Sequence, residues 1–158
     1  MKFWNYLDGM QKEHRERGML FVHGSPRDPV REYMVPRDIA DQQKMSECFA
    51  KMGDAKLCFI GHSHVPGVYT KSGSFLLPSE IDMQWQVSEP AIVNIGSVGQ
   101  PRDGDPRASF AVVTDGTVSQ VRHGSSRRRS TARGVTDEEA HARQRRGPAR
   151  PSTPVQQL

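Results

Sequence analysis

The chain is short of the residues that commit a protein to several common classes. Of its 158 residues 35% are hydrophobic and 7% aromatic, below the roughly 45–50% apolar share (glycine included) of ordinary globular proteins. Cysteine is nearly absent. Cys48 and Cys58 cannot form a disulfide framework, and they suit a compartment that keeps thiols reduced. Long hydrophobic runs are missing too. Met19–Val22 and Leu57–Ile60 stop at four residues, against the roughly 18–20 that a membrane span needs. Near Met1 there is Lys2 but no apolar segment, and Asp8 interrupts the stretch, so no secretory leader is expected and the predicted location is cytoplasmic.

The shortage is uneven. Residues 123–158 hold no aromatic residue and seven apolar ones among 36 positions. Such a segment has too little apolar surface to offset the entropy of ordering it, and it is predicted to be a disordered Arg/Ser/Pro-rich tail. Charge divides at the same place. The tail carries eight Arg and three acids, a net of +5, and residues 1–122 carry 14 cations and 15 acids, a net of −1. The basic pI belongs to the tail, so it does not mark the whole chain as a nucleic-acid binder, and nucleic acid is not expected as a partner.

Residues 1–122 read as one α/β body. Phe3, Trp4, Leu7 and Met10 follow the spacing of one buried helical face, and Arg15 and Arg17 would suit the carbonyl end of that helix before Gly18 stops it. Met19–Val22, Lys56–Ile60 and Ala91–Ile95 are short, apolar and β-rich, the pattern of buried strands. Asp38–Met52 reads as one helix with Met45, Cys48, Phe49 and Met52 on its inner stripe and Gly53 as its stop. Short strands are expected near Val68-Tyr69 and over Phe75 to Leu77. Asp115-Gly116 between Ser109–Thr114 and Thr117–Val121 signals a hairpin.

Each of the three buried strands runs into a polar, glycine-containing loop, the arrangement by which open α/β sheets build sites. The loops begin at His23, at Gly61-His62-Ser63-His64 and at Asn94. Residues two apart in extended backbone share a side, so His62 and His64 would reach one metal ion or two adjacent ones, with His23 as a third imidazole. Neutral imidazole suits Zn, Mn, Fe, Ni and Cu. The bland alternative is a set of loop histidines without a ligand. Pro-Arg-Asp recurs at 26–28, 36–38 and 101–103. Its arginine fork suits phosphate, but Pro and Asp are also turn formers, and turn chemistry is the simpler account. Ser25 and Ser97 lack a neighbouring base, which leaves a serine nucleophile unsupported.

Taken together, Phe21-Val22-His23-Gly24-Ser25-Pro26, Phe59-Ile60-Gly61-His62-Ser63-His64-Val65-Pro66 and Asn94-Ile95-Gly96-Ser97-Val98-Gly99-Gln100-Pro101-Arg102 resemble the second half of the calcineurin-like metallophosphoesterases. The nearest group in this likeness is the small bacterial and archaeal phosphodiesterases related to serine/threonine phosphatases. Ser63 stands where threonine is more usual. The resemblance implies a partial α/β/β/α sandwich over residues 1–122 and hydrolysis of phosphate mono- or diesters at two divalent metal ions. It implies His23 and His62 as ligands of one metal, His64 as a ligand of the other, and Asn94 and Arg102 near the substrate phosphate. The family's Asp-x-His, Gly-Asp and Gly-Asn-His motifs do not precede His23. Three neutral imidazoles offset none of the charge of two divalent ions, although they would suit a single Zn with an open position. The isolated chain is therefore expected to be inactive or nearly so, or to act as a non-catalytic metal-binding or interaction module whose partner chain brings the missing half.

Overall fold

The computed structural model describes Trp4, Tyr6 and residues 8–124. Of the tail predicted over 123–158, His123 and Gly124 fall within these residues, His123 as the last residue of a strand, and the rest lies outside them. The described residues form two sheets and one α-helix. Strands β1 (Glu13–Glu16), β2 (Met19–Val22), β3 (Leu57–Ile60), β4 (Gly67–Thr70), β5 (Phe75–Leu76) and β7 (Ala91–Asn94) build a six-stranded sheet in the order β1-β2-β3-β7-β4-β5. Strands β6 (Gln84–Gln86), β8 (Ala108–Thr114) and β9 (Thr117–His123) build a three-stranded sheet in the order β6-β9-β8. Helix α1 spans Gln42–Met52.

The two-residue side-chain period of the central strands divides the interior into two cores. On β3, Cys58 and Ile60 face α1, where Met34, Met45, Cys48 and Met52 meet them. Leu57 and Phe59 face the second sheet, where Trp85 and Val118 cover them. Burial on both faces is why β3 is apolar throughout and β7 is apolar up to Asn94. The result is a helix layer, a mixed sheet and a second sheet, the α/β architecture that the sequence suggests.

Four expectations change. Residues 13–22 are a β-hairpin, not the end of a helix. Arg17 and Gly18 have φ of 49° and 73°, the two-residue turn whose twist matches flanking strands, and β1 pairs antiparallel with β2 from Glu13–Val22 to Glu16–Met19. Ahead of the hairpin, the described residues with helical backbone are Trp4, Tyr6 and Asp8. Trp4 and Met10 are 72% and 59% exposed, so they do not form a buried face. Arg15 does meet helix carbonyls, but those of α1. Its guanidinium donates to Met52 O at 2.8 Å and Lys51 O at 3.1 Å, where the helix dipole favours a cation.

The predicted helix from Asp38 is broken. Pro36–Ala40 is a 3-10 turn, Asp41 leaves helical geometry with ψ at 88°, and its carboxylate accepts the Lys44 amide at 2.9 Å to cap α1. Strand β6 was not expected, because Gln-Trp-Gln buries only Trp85. It exists because Trp85 lies opposite Val118 of β9. The Asp115-Gly116 hairpin has the expected register, with Thr114 opposite Thr117.

Candidate metal centre

Strands β2, β3 and β7 run parallel, with Phe21 opposite Phe59 and Ile60 opposite Asn94. Their C-terminal ends are therefore level, and the three polar loops open on one edge. Two backbone bonds continue the ladder beyond the strands, Gly61 N to His23 O and Ile95 N to Ile60 O, each 3.1 Å.

The His23 loop folds tightly back on its strand. The amides of His23 and Gly24 donate to Pro29 O at 3.1 and 2.7 Å. A Cβ on Gly24 would lie 2.6 Å from Asp28 O and 3.0 Å from Glu32 O, so only glycine lets the loop close. Ser25 is fully buried, and its hydroxyl donates to Glu32 Oε2 at 2.5 Å. Arg27 grips Glu32 through Nε and Nη2 and reaches Glu47 through Nη1. The arginine holds the Glu32 carboxyl below the usual carboxylate range. Arg27 is thus occupied by carboxylates, and Asp28 accepts the Val30 and Arg31 amides. The Asp38 carboxylate accepts the Val35 amide. Asp103 accepts the Asp105 amide and pairs with Arg122. The aspartates of the repeated triplet bond nearby backbone amides, as turn residues do, at all three places.

The Gly61–His64 loop is not extended. His62 and His64 have φ of 51° and 60°, and Ser63 N donates back to Gly61 O at 2.6 Å. The two imidazoles consequently part company. His62 Nδ1 meets His23 Nε2 at 2.7 Å. His64 Nδ1 meets Gln100 O at 2.7 Å. A carbonyl only accepts, so Nδ1 of His64 carries the proton and Nε2 keeps its lone pair free, the usual outer-shell arrangement behind a metal-binding histidine. Burial and the neighbouring His62 and His64 lower the pKa of His23, which favours its neutral, ligating form.

Asn94 is fully buried beneath this loop. Its Nδ2 donates to Gly61 O at 3.0 Å and Ser63 Oγ at 2.7 Å, and its Oδ1 accepts Gly96 N at 2.9 Å. Arg102 is exposed, and its amide lies 3.4 Å from His64 O. Gly96, at φ 77°, lets the third loop pass Ser109, whose Oγ would lie 2.7 Å from a Cβ there. Tyr33 is the site residue that sequence reading misses. Its ring stacks on His62 with centroids 3.8 Å apart and planes 30° apart. An aromatic residue inside a proline-rich loop is a hint, but the contact spans 29 positions and has no local signature.

The donor set fits a metal in part. Two ligand nitrogens of a tetrahedral ion at 2.0–2.1 Å are about 3.3 Å apart, so the His23–His62 pair needs only a small opening to share one ion. Among the described residues no group of three or more His, Cys, Asp or Glu side chains converges on a metal position. No helix among them is long and apolar enough to cross a membrane.

Known proteins with this arrangement give it a family. The solved structure of a metallophosphoesterase from Sphaerobacter thermophilus superposes with a TM-score of 0.67 at 34% identity, covering 78% of this chain and 51% of that one. A hypothetical protein of Pyrococcus horikoshii shares the fold at a TM-score of 0.52 and 17% identity, over 77% of this chain and 43% of that one. An uncharacterized protein of Methanocaldococcus jannaschii is 33% identical over 114 residues, 71% of this chain and 43% of its own length. The chain thus spans about half the length of the relatives it matches. The calcineurin-like phosphoesterase superfamily domain matches residues 6–117, the stretch that contains all three histidine-bearing and asparagine-bearing loops. With its parallel strands and paired imidazoles, the chain belongs to the calcineurin-like phosphoesterase superfamily, whose members use divalent metal ions.

Proposed function

We propose that this chain supplies the histidine-bearing half of a metal-dependent phosphoesterase centre that hydrolyses phosphate mono- or diesters at two metal ions. The observation that carries the reading is the 2.7 Å approach of His23 Nε2 to His62 Nδ1. The loops after two parallel strands bring two imidazole nitrogens together there at a solvent-facing edge, and a shared ion would take the place of the proton between them. We assign this pair to one ion and the free Nε2 of His64 to the other. Mn, Fe, Zn and Ni all accept such donors. Bound ions of this kind neutralise phosphoryl charge and acidify water.

The protein's own contribution is placement. Gln100 O fixes the His64 tautomer, and Asn94 ties the His62 loop to β7. In this reading the exposed Arg102, whose guanidinium fork suits phosphate, meets the substrate phosphate. In this reading Asn94 serves the phosphate site from beneath, by bracing the loop, since its side chain is buried and fully engaged. Among the described residues no three His, Cys, Asp or Glu side chains gather around a metal position, so in this reading a separate segment bearing Asp-x-His, Gly-Asp and Gly-Asn-His supplies the neutralising charge.

The test is hydrolysis of a chromogenic phosphodiester and a monoester with Mn²⁺. The chain alone should stay at the level of a His62→Ala, His64→Ala control. Joined or co-expressed with a segment bearing those three motifs, it should gain activity that the same double substitution removes. Strong hydrolysis by the chain alone, insensitive to those substitutions, sinks the reading. The incomplete donor set also favours a second reading, a non-catalytic metal-binding or interaction module. Co-purification of a partner that adds no hydrolysis would select it.

A further inference from the structure

Local backbone rules do not set the direction of the His62 ring. The residue is in the left-handed region, inside a turn that closes within three residues. Two long-range contacts set it instead. The hydrogen bond to His23 lies at the ring edge and fixes where Nδ1 points, but it leaves the ring free to rotate about the N···N line. A contact on the ring face removes that rotation, and Tyr33 makes it.

Tyr33 is itself held from behind. Lys44 Nζ donates to its carbonyl at 2.8 Å. The preceding Glu32 is clamped by Arg27 and by the buried Ser25 hydroxyl. Lys44 is anchored in turn by Asp38 at 2.8 Å. Charged groups on α1 and on the His23 loop therefore fix the backbone of Tyr33, yet its ring belongs to neither hydrophobic core and stays 48% exposed. Stabilisation of the fold does not account for an anchored aromatic ring left half in water against one imidazole.

We infer that Tyr33 is a positioning residue for His62, whose ring it holds so that Nδ1 faces His23 and the cation the two would share. The inference rests on the metal-site reading above, so the test separates the two. In the metal-free full-length chain, NMR of the histidine rings is compared among wild type, Tyr33→Phe, Tyr33→Leu and Tyr33→Met. Circular dichroism confirms that each variant is folded. The His62 ring protons should be shifted upfield by the facing ring, and its two nitrogens should report one tautomer, in wild type and Tyr33→Phe. Both signatures should vanish in Tyr33→Leu and in Tyr33→Met, which fills the volume without an aromatic face.

Titration with Zn²⁺ should then show equal affinity for wild type and Tyr33→Phe and a loss of about tenfold or more for the Leu and Met variants, the usual size of an outer-shell effect. Unchanged His62 signals in those two variants overturn the inference. So does unchanged Zn²⁺ affinity once the signals are lost, or failure of both variants to fold, which marks Tyr33 as structural. If wild type and His62→Ala take up Zn²⁺ equally, the metal reading fails, and the ring signals alone decide the role of Tyr33.

Discussion

The buried amide of Asn94, at the end of β7, donates to both Gly61 O and Ser63 Oγ, so one strand holds the loop that follows its neighbour. With Gly96 N returning a bond to its Oδ1, every polar atom of the side chain works between the two loops. Replacement by Leu removes the partner of the buried Gly96 amide and one of the partners of Gly61 O and of Ser63 Oγ, which keep each other and the Ser63 amide. A buried group left without its partner costs about 1–3 kcal/mol. Asn94→Leu should therefore lower the urea midpoint by an amount equivalent to at least about 2 kcal/mol, with the slope of the transition unchanged. Asn94→Ser, which retains one hydrogen-bonding atom, should lose less. A larger loss for Ser than for Leu would mean that volume, not hydrogen bonding, is what the site requires.

Gly24 offers a test of the neighbouring loop. A methyl group there would meet two backbone oxygens, Asp28 O at 2.6 Å and Glu32 O at 3.0 Å. Backbone cannot swing aside as a flexible side chain does. Gly24→Ala should cost about 2 kcal/mol or more, in the range of overpacking a closed site, and should weaken divalent-metal binding because His23 opens this loop. Gly99→Ala is the matched control, since nothing lies within 4 Å of a Cβ there, and it should be near neutral. A silent Gly24→Ala would show that the loop is free to reopen.

How much of this was legible in the sequence depends on the range of the interaction. Strands β2, β3 and β7 are apolar on both faces, and each ends in a glycine- or histidine-bearing loop, so both fold class and site location could be read locally. The Asp115-Gly116 turn is equally local. The β1–β2 hairpin has no decisive local signal, because Arg15, Arg17 and Gly18 are as good an ending for a helix as for a two-residue turn. Arg15 shows why: its preference for helix carbonyls is satisfied 37 positions away, at Met52. Gln84–Gln86 becomes a strand only because Trp85 finds Val118. The divergence of His62 and His64 needed φ values that no two-residue alternation supplies.

The thiols carry a prediction with a definite sign. Cys48 and Cys58 are both fully buried, and burial pushes the Cys58 pKa from 9.0 to about 12. Neither should react with a chromogenic disulfide reagent near pH 8 until the chain unfolds. The folded state holds the Cys58 proton more tightly than the unfolded state does, so unfolding releases protons at high pH. Stability should fall as pH rises from about 9 toward 12. Cys58→Ala should flatten that decline while costing stability at neutral pH. Rapid labelling of the native protein would contradict the burial.

The Arg27–Glu32 pair gives the opposite dependence. The guanidinium lowers the Glu32 pKa from 4.5, so the pair's contribution is full above that value and is lost as pH falls through the lowered one. The wild type should lose its advantage over Arg27→Met as pH falls below about 4.5, with both melting temperatures followed by circular dichroism. The pair is partly exposed, so salt should shrink the difference. A constant offset at all pH values would assign the role of Arg27 to packing of its alkyl stem.

A double-mutant cycle at the metal site ties these elements together. His23 and His62 are assigned to one ion, so removing either should abolish most of its binding, and removing both should cost little more. His64 is held apart, with its Nδ1 on Gln100 O. His64→Ala should leave the first Zn²⁺ equivalent nearly unchanged while His23→Ala and His62→Ala each remove it. The readout is calorimetric titration near pH 7.5, where the lowered pKa of His23 keeps its ring neutral. Loss of the first Zn²⁺ equivalent on removing any one of the three histidines, with little further loss on combining the substitutions, would instead describe one ion held by a triad, and the loop from Gly61 to His64 would then have to rearrange on binding to bring the His64 ring to the His23–His62 pair.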